Sequence, residues 1–212
     1  MSNAIMSVVG SGLLSFDSSI EPTQREAVTY ALRFAHRAAM DLYAETGGQW
    51  YDYYRRQLRF LGWDAQPADH AWNPDMSRVA VTDRACKAIA GQSEHFATLA
   101  RRASQALSVA PTAGMFLQQH ARAHKHGMFQ LLPCTQRKAP SGVSRIELLI
   151  YHEELDLAGS DGLFSAARPP LLTQAHIGLV RFDVRSFETT HLPRIRARFQ
   201  KIQSDYLSLL EG

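Results

Sequence analysis

Apolar residues recur every three or four positions through the first half of the chain and alternate with polar ones through part of the second. From Pro22, the residues Val28, Ala31, Leu32, Ala35, Ala39 and Leu42 fall on one side of a helical projection. Pro22 suits a helix entrance, Thr23 and Glu26 have capping-box spacing, and Gly47-Gly48 marks the stop. Arg25, Arg33 and Arg37, with His36 beside them, are expected on the outer side.

The next stretch, "GGQWYDYYRRQLRFLGWD" (residues 47–64), predicts a second helix. Trp50, Tyr54, Leu58 and Leu61 stack on one side, flanked by Tyr53 and Phe60, while Asp52, Arg55, Arg56 and Arg59 occupy the other. Gly62 is placed to end it. Residues 64–80 hold two prolines and few periodic apolar positions, and read as a connection. A third helix is expected from Thr82, with Ala85, Ile89, Phe96, Leu99, Ala103 and Leu107 as its stripe, and a short fourth around Met115 to His124.

After Gly127 the period changes. "GMFQLLPCTQ", the turn "RKAPSG" and "VSRIELLIYHEEL" predict a hairpin. Ile146, Leu148 and Ile150 alternate with Arg145, Glu147, Leu149 and Tyr151, which implies one buried face and one partly wet. "LLTQAHIGLVRFDVRSF" predicts a third strand. Its apolar phase shifts between Ile177, Leu179 and Val180, Phe182, Val184, which suggests a bulge near Gly178. The closing "HLPRIRARFQKIQSDYLSLLEG" reads as a helix with Leu192, Ile195, Phe199, Ile202, Tyr206 and Leu209 inward. The expected fold class is α+β: N-terminal helices and a C-terminal helix packed on a small antiparallel β-meander of about three to four strands. No interior linker marks a boundary, so one domain over residues 1–212 is expected, with 1–20 as a flexible N-terminal segment.

Composition narrows the function classes. The chain of 212 residues is 45% hydrophobic and 20% charged, enough for a substantial core and inconsistent with global disorder. Its 23 basic and 20 acidic residues leave a formal charge of only +3, which argues against nucleic acid. In the second helix, aromatics and arginines lie on opposite sides, whereas a base-stacking surface puts both on one face. No run approaches a membrane span, and no Lys or Arg precedes Arg25, so a signal peptide is not expected. The expected compartment is the cytoplasm, with signal-independent export left open. No internal repeat, cofactor fingerprint or calcium loop is present: "VGSGLL" has two glycines rather than three, and "GSDG" lacks further oxygen ligands. No cofactor is expected.

The candidate chemistry is sparse. Cys86 and Cys134 share no motif and form no disulfide framework. Cys134 would become a nucleophile if the hairpin brought it to His126 or His152, as in thiol-dependent acyl transfer or hydrolysis. Either Cys86 or Cys134 could instead carry a thioester-linked lipid. His120 and His124 lie one helical turn apart, a spacing able to hold a divalent metal if a third ligand joined them. Glu147, Glu153, Glu154, Asp156 and Asp161 suggest a solvated acidic edge. The favoured expectation is a non-enzymatic interaction protein that binds a protein partner or a membrane surface, with Trp50, Trp63, Trp72, Arg55 and Arg59 as its binding residues.

Overall fold

The computed structural model describes residues 5–46, 49–66, 79–123, 125–138, 144–165, 167–200 and 207–210. Among these residues the fold is α+β, built on a mixed sheet of seven strands covered by helices on both faces.

The predicted meander is present as β4 (His126–Lys138), β5 (Ser144–Asp156) and β6 (Leu171–Phe182), each antiparallel to the next. The sheet then continues beyond the three to four strands expected. β1 (Met6–Val9) and β2 (Gly12–Phe16) form a hairpin, and β2 runs parallel to β4, with Phe16 opposite Cys134. The strand order is therefore β6-β5-β4-β2-β1-β7, with β3 (Arg122–Ala123) beside the start of β4. Residues 6–16, expected in a flexible N-terminal segment, are interior strands instead. Leu13 and Leu14 are both fully buried because consecutive side chains enter opposite covered faces.

One face is covered by α1 (Pro22–Thr46), α2 (Trp50–Phe60), α6 (Val184–Thr190) and α7 (Leu192–Gln200). Ala27, Ala31, Ala35 and Ala39 on α1 are fully buried, and such small side chains let α2 pack close alongside. α2 ends in a Schellman motif: Gly62, at φ +92°, donates to Arg59 O, and Trp63 N–H donates to Leu58 O, both at 3.1 Å. The other face is covered by α3 (Val81–Gln92), α4 (Glu94–Ser108) and α5 (Pro111–His120).

Several expectations change. The third helix is two, because Ser93 is extended (φ −165°, ψ 125°) and turns the chain between α3 and α4. β5 is covered on both faces through most of its length, with Ile146, Leu148 and Ile150 in one core and Leu149 and Tyr151 in the other, while Arg145 near its start stays exposed. The shifted apolar phase of β6 has a different origin, since Val180 and Phe182 are buried while Ile177 is half-buried and Leu179 is 41% exposed. Gly178 pairs in regular register with Ile150, and the irregularity lies between Glu154 and Leu155. The closing helix is also shorter than predicted. Residues 207–210 form β7 (Leu207–Leu210), antiparallel to β1, with Met6 opposite Leu210. Ile202 and Tyr206 lie outside the described residues.

Candidate functional site

The arrangement does not bring the thiol candidates together. Cys134 sits mid-sheet between Phe16 and Leu148 and is fully buried. His152 lies four residues from Leu148 on β5, about 13 Å away, and His126 lies eight residues back on β4, about 26 Å away. Burial, with the nearby Asp17 charge, raises the Cys134 thiol well above its usual pKa, the reverse of what a nucleophilic cysteine requires. Cys86 is half-buried on α3, 3.5 Å from Ser104 Oγ, and burial raises its thiol too. In timed alkylation at neutral pH, Cys134 is expected to stay unmodified until the protein unfolds, and Cys86 to react more slowly than a free thiol. Prompt labelling of native Cys134 would contradict this placement.

The other candidates also move. His120 lies 2.8 Å from Phe116 O through Nδ1, and His124 is outside the described residues. Among the described residues, no group of three His, Cys, Asp or Glu side chains could hold a metal ion. Trp50 and Trp63 are 1% and 3% exposed, so they serve as core walls rather than surface anchors. Trp63 stacks on Phe182 at 4.2 Å. Trp72 lies outside the described residues. Arg55, expected outward, is buried, and Arg59 alone of the proposed pair is exposed. The acidic edge is smaller than expected: Glu154 and Asp156 are half-buried and Asp161 is exposed, but two members lie inside the fold. Glu153 is fully buried and paired with Arg84, and Glu147 is buried between strands.

What the fold does assemble is a polar row inside the core between the sheet and α1–α2. Gly12, Gln130, His152 and His176 are successive cross-strand neighbours on β2, β4, β5 and β6. Above them lie His36 of α1 and the aromatic face of α2. Tyr51 stacks on His152 at 4.3 Å and on His176 at 4.7 Å, and Trp50 lies 5.4 Å from His152 and 5.2 Å from His36. Gln130, His152 and His36 are each at most 1% exposed. At the rim of this row, Glu154 Oε1 is 3.7 Å from His152 Nε2. That imidazole is the main cause holding the Glu154 carboxyl below its ordinary value, with burial acting the other way.

His36 closes the row at the β1–β2 turn. Ser11 N–H donates to His36 Nε2 at 3.0 Å, and Ser11 Oγ lies 3.0 Å from the same nitrogen. Because Nε2 accepts, the ring proton sits on Nδ1 and the imidazole is neutral. Burial pushes the pKa of His36 down to about 3, helped by the nearby His120 and His152. Unfolded chains protonate this ring near pH 6.5 while the folded chain does not. Stability from this group is therefore full above that value and declines as the pH falls from there towards 3, by about 1.4 kcal/mol per unit. Urea midpoints between pH 6.5 and 5 are expected to fall for the natural chain and less for His36→Gln. A flat profile would exclude the buried neutral ring.

His36, Ser11, Gln130 and His176 were not among the sequence candidates. His36 had a legible signal: it follows Leu32 by four residues and precedes Ala39 by three, on the apolar stripe. Gln130 and His176 had none, because their convergence with His152 depends on strand register.

No family model matches this chain, and no curated protein matches it. Among solved structures, one described as "Structure of the Evf virulence factor" aligns with 93% of this chain and 84% of its own, at 11% identity and a TM-score of 0.38. A likeness at that level carries no argument about function. No described helix is long and apolar enough to cross a membrane.

Proposed function

We propose that this protein works by binding a partner protein through the outer side of α2, where it meets the α6–α7 corner. The observation that supports the reading is Phe60: it is 63% exposed at the end of α2, with the ring of His191 at 5.0 Å. Arg56 and Arg59 are exposed on the same helix, and Arg56 lies 4.7 Å over the Tyr53 ring. Aromatic and arginine side chains in this combination are over-represented among residues that carry binding energy. The arginines favour a partner segment with acidic residues beside an apolar anchor. A protein fits better than a membrane surface, because the face of α2 that would enter lipid is already packed against the sheet.

Selection from displayed random peptides is expected to return sequences with acidic residues next to an aromatic or aliphatic one. Their binding should weaken about tenfold or more in Arg59→Glu and in Phe60→Ser, as truncation of an interface anchor does. Peptides that bind both variants as well as the natural chain would remove this surface from consideration. Sedimentation with anionic liposomes that depends on Phe60 would replace the protein partner with a membrane.

A further inference from the structure

Beyond that surface, we infer that the α1–α2 hairpin is an acid-sensitive lid, whose end over the polar row lifts from the sheet on protonation while its other end stays anchored. The two ends differ in what holds them. At the anchored end, Glu26 of α1 pairs with Arg196 of α7 at 2.7 Å, and Gln24 Oε1 accepts from Gln136 Nε2 of β4 at 3.0 Å. Leu58 and Leu61 close α2 in the apolar core, followed by Trp63 stacked on Phe182. None of these contacts involves an imidazole.

At the other end the helices meet the sheet through titratable groups. His36 of α1 holds the β1–β2 turn through Ser11, and Trp50 and Tyr51 of α2 lie on His152 and His176. Protonated His36 carries a hydrogen on both ring nitrogens, so Nε2 could no longer accept from Ser11 N–H and would face it as a second donor. Gly10 leaves the ring little room to turn, since a Cβ there would overlap Cε1 and both nitrogens. Relief therefore comes from withdrawal of α1 from the turn, and Trp50, 5.2 Å from His36, moves with it.

The charges around the row set the direction. His120 of α5 and His152 of β5 act on His36, and burial, the main cause, pushes its pKa down to about 3. On α2, Arg55 and the exposed Asp52 act on the Tyr51 phenol, and Tyr51 with Arg55 on that of Tyr54. Glu154 of β5 is met by His152, by His176 of β6 and by His126 of β4. That carboxylate can balance a proton on His152, 3.7 Å away, but a charge on His152 in turn opposes one on His36. The seated lid thus keeps His36 neutral, whereas in the lifted lid the ring reaches water and takes a proton near pH 6.5. Below that value, each pH unit favours the lifted form by about tenfold for each proton the seated form excludes.

The test is peptide-resolved hydrogen exchange of the full chain at pH 7 and pH 5, corrected for the intrinsic pH dependence of exchange. Peptides from the second half of α1 and the start of α2 are expected to exchange about tenfold faster or more at pH 5, while those from α4 and the centre of β5 keep their rates. His36→Gln should remove most of that acceleration. Glu154→Gln leaves every imidazole in place but removes the balancing charge, so it should enlarge the acceleration, and it keeps the test open if His36→Gln does not fold. Equal acceleration in α4 and β5, the mark of global acid unfolding, would overturn the lid. So would no acceleration in the natural chain, an acceleration that His36→Gln leaves intact, or one that Glu154→Gln reduces. No partner enters these measurements, so the lid stands or falls separately from the surface proposed above.

Discussion

Arg84→Met is expected to destabilise this protein by about 3–5 kcal/mol, the cost of stranding one member of a buried ion pair. Arg84 Nε lies 2.8 Å from Glu153 Oε2 and Nη2 lies 3.2 Å from Oε1, with both side chains fully excluded from solvent. Burial opposes the charge on Arg84, but the Glu153 carboxylate outweighs it and raises the guanidinium pKa further. Tyr151 Oη donates to the same carboxylate at 2.6 Å, and Arg84 Nη1 donates to Val79 O at 3.1 Å. This cluster ties α3, and the chain just before it, to the centre of β5. Removing the arginine leaves a buried carboxylate that, among the described residues, has the Tyr151 phenol to meet it. Glu153→Leu alone should cost a similar amount by stranding the guanidinium. The triple variant Arg84→Met, Glu153→Leu, Tyr151→Phe should recover most of the loss, because well-packed apolar groups replace ion pairs at little net cost. Urea unfolding of the four proteins, followed by circular dichroism, gives the coupling directly. Additive losses in the triple variant would mean that the three groups do not act as a unit.

Gly10→Ala is expected to cost about 2–4 kcal/mol, from two separate sources. Gly10 turns β1 into β2 at φ +57°, a backbone conformation unfavourable to any residue with a Cβ. That Cβ would also lie 2.4 Å from Cε1 and 2.5 Å from both nitrogens of His36. The ring cannot withdraw without giving up its hydrogen bonds with Ser11. In a His36→Ala background the clash disappears, and adding Gly10→Ala should cost only the backbone part, about 1–2 kcal/mol. A denaturation midpoint for Gly10→Ala close to that of the natural chain would show that the turn has another conformation available.

The elements that were legible share one property: their signal is local. The apolar stripe of α1, the stop at Gly62 and the hairpin of β4 and β5 each have a local signal, and all three appear in the fold. β1, β2 and β7 were missed because each is only 4 or 5 residues long. With both faces covered, β1 and β2 show no alternation to read. The bulge assigned to Gly178 came from reading Ile177 and Leu179 as core positions, whereas on this edge strand Ile177 is half-buried and Leu179 is 41% exposed. Arg55 was placed outward because arginine on an amphipathic helix ordinarily faces water. Residues 63–66 run back beside β6, with Trp63 bridging Phe182, and that path buries it.

By itself, the sequence determined the class of fold, the principal helices and the meander, and the poverty of thiol and metal motifs. Periodicity and composition are properties of neighbours along the chain. Only the tertiary structure decided that Gln130, His152 and His176 form one row beneath His36 and Trp50, and that Arg84 meets Glu153 across 69 positions. It also set Cys134 four residues out of register with the histidine it would have needed. Those juxtapositions follow from strand order and register, which are fixed by the simultaneous burial of both faces of the sheet and by no single segment.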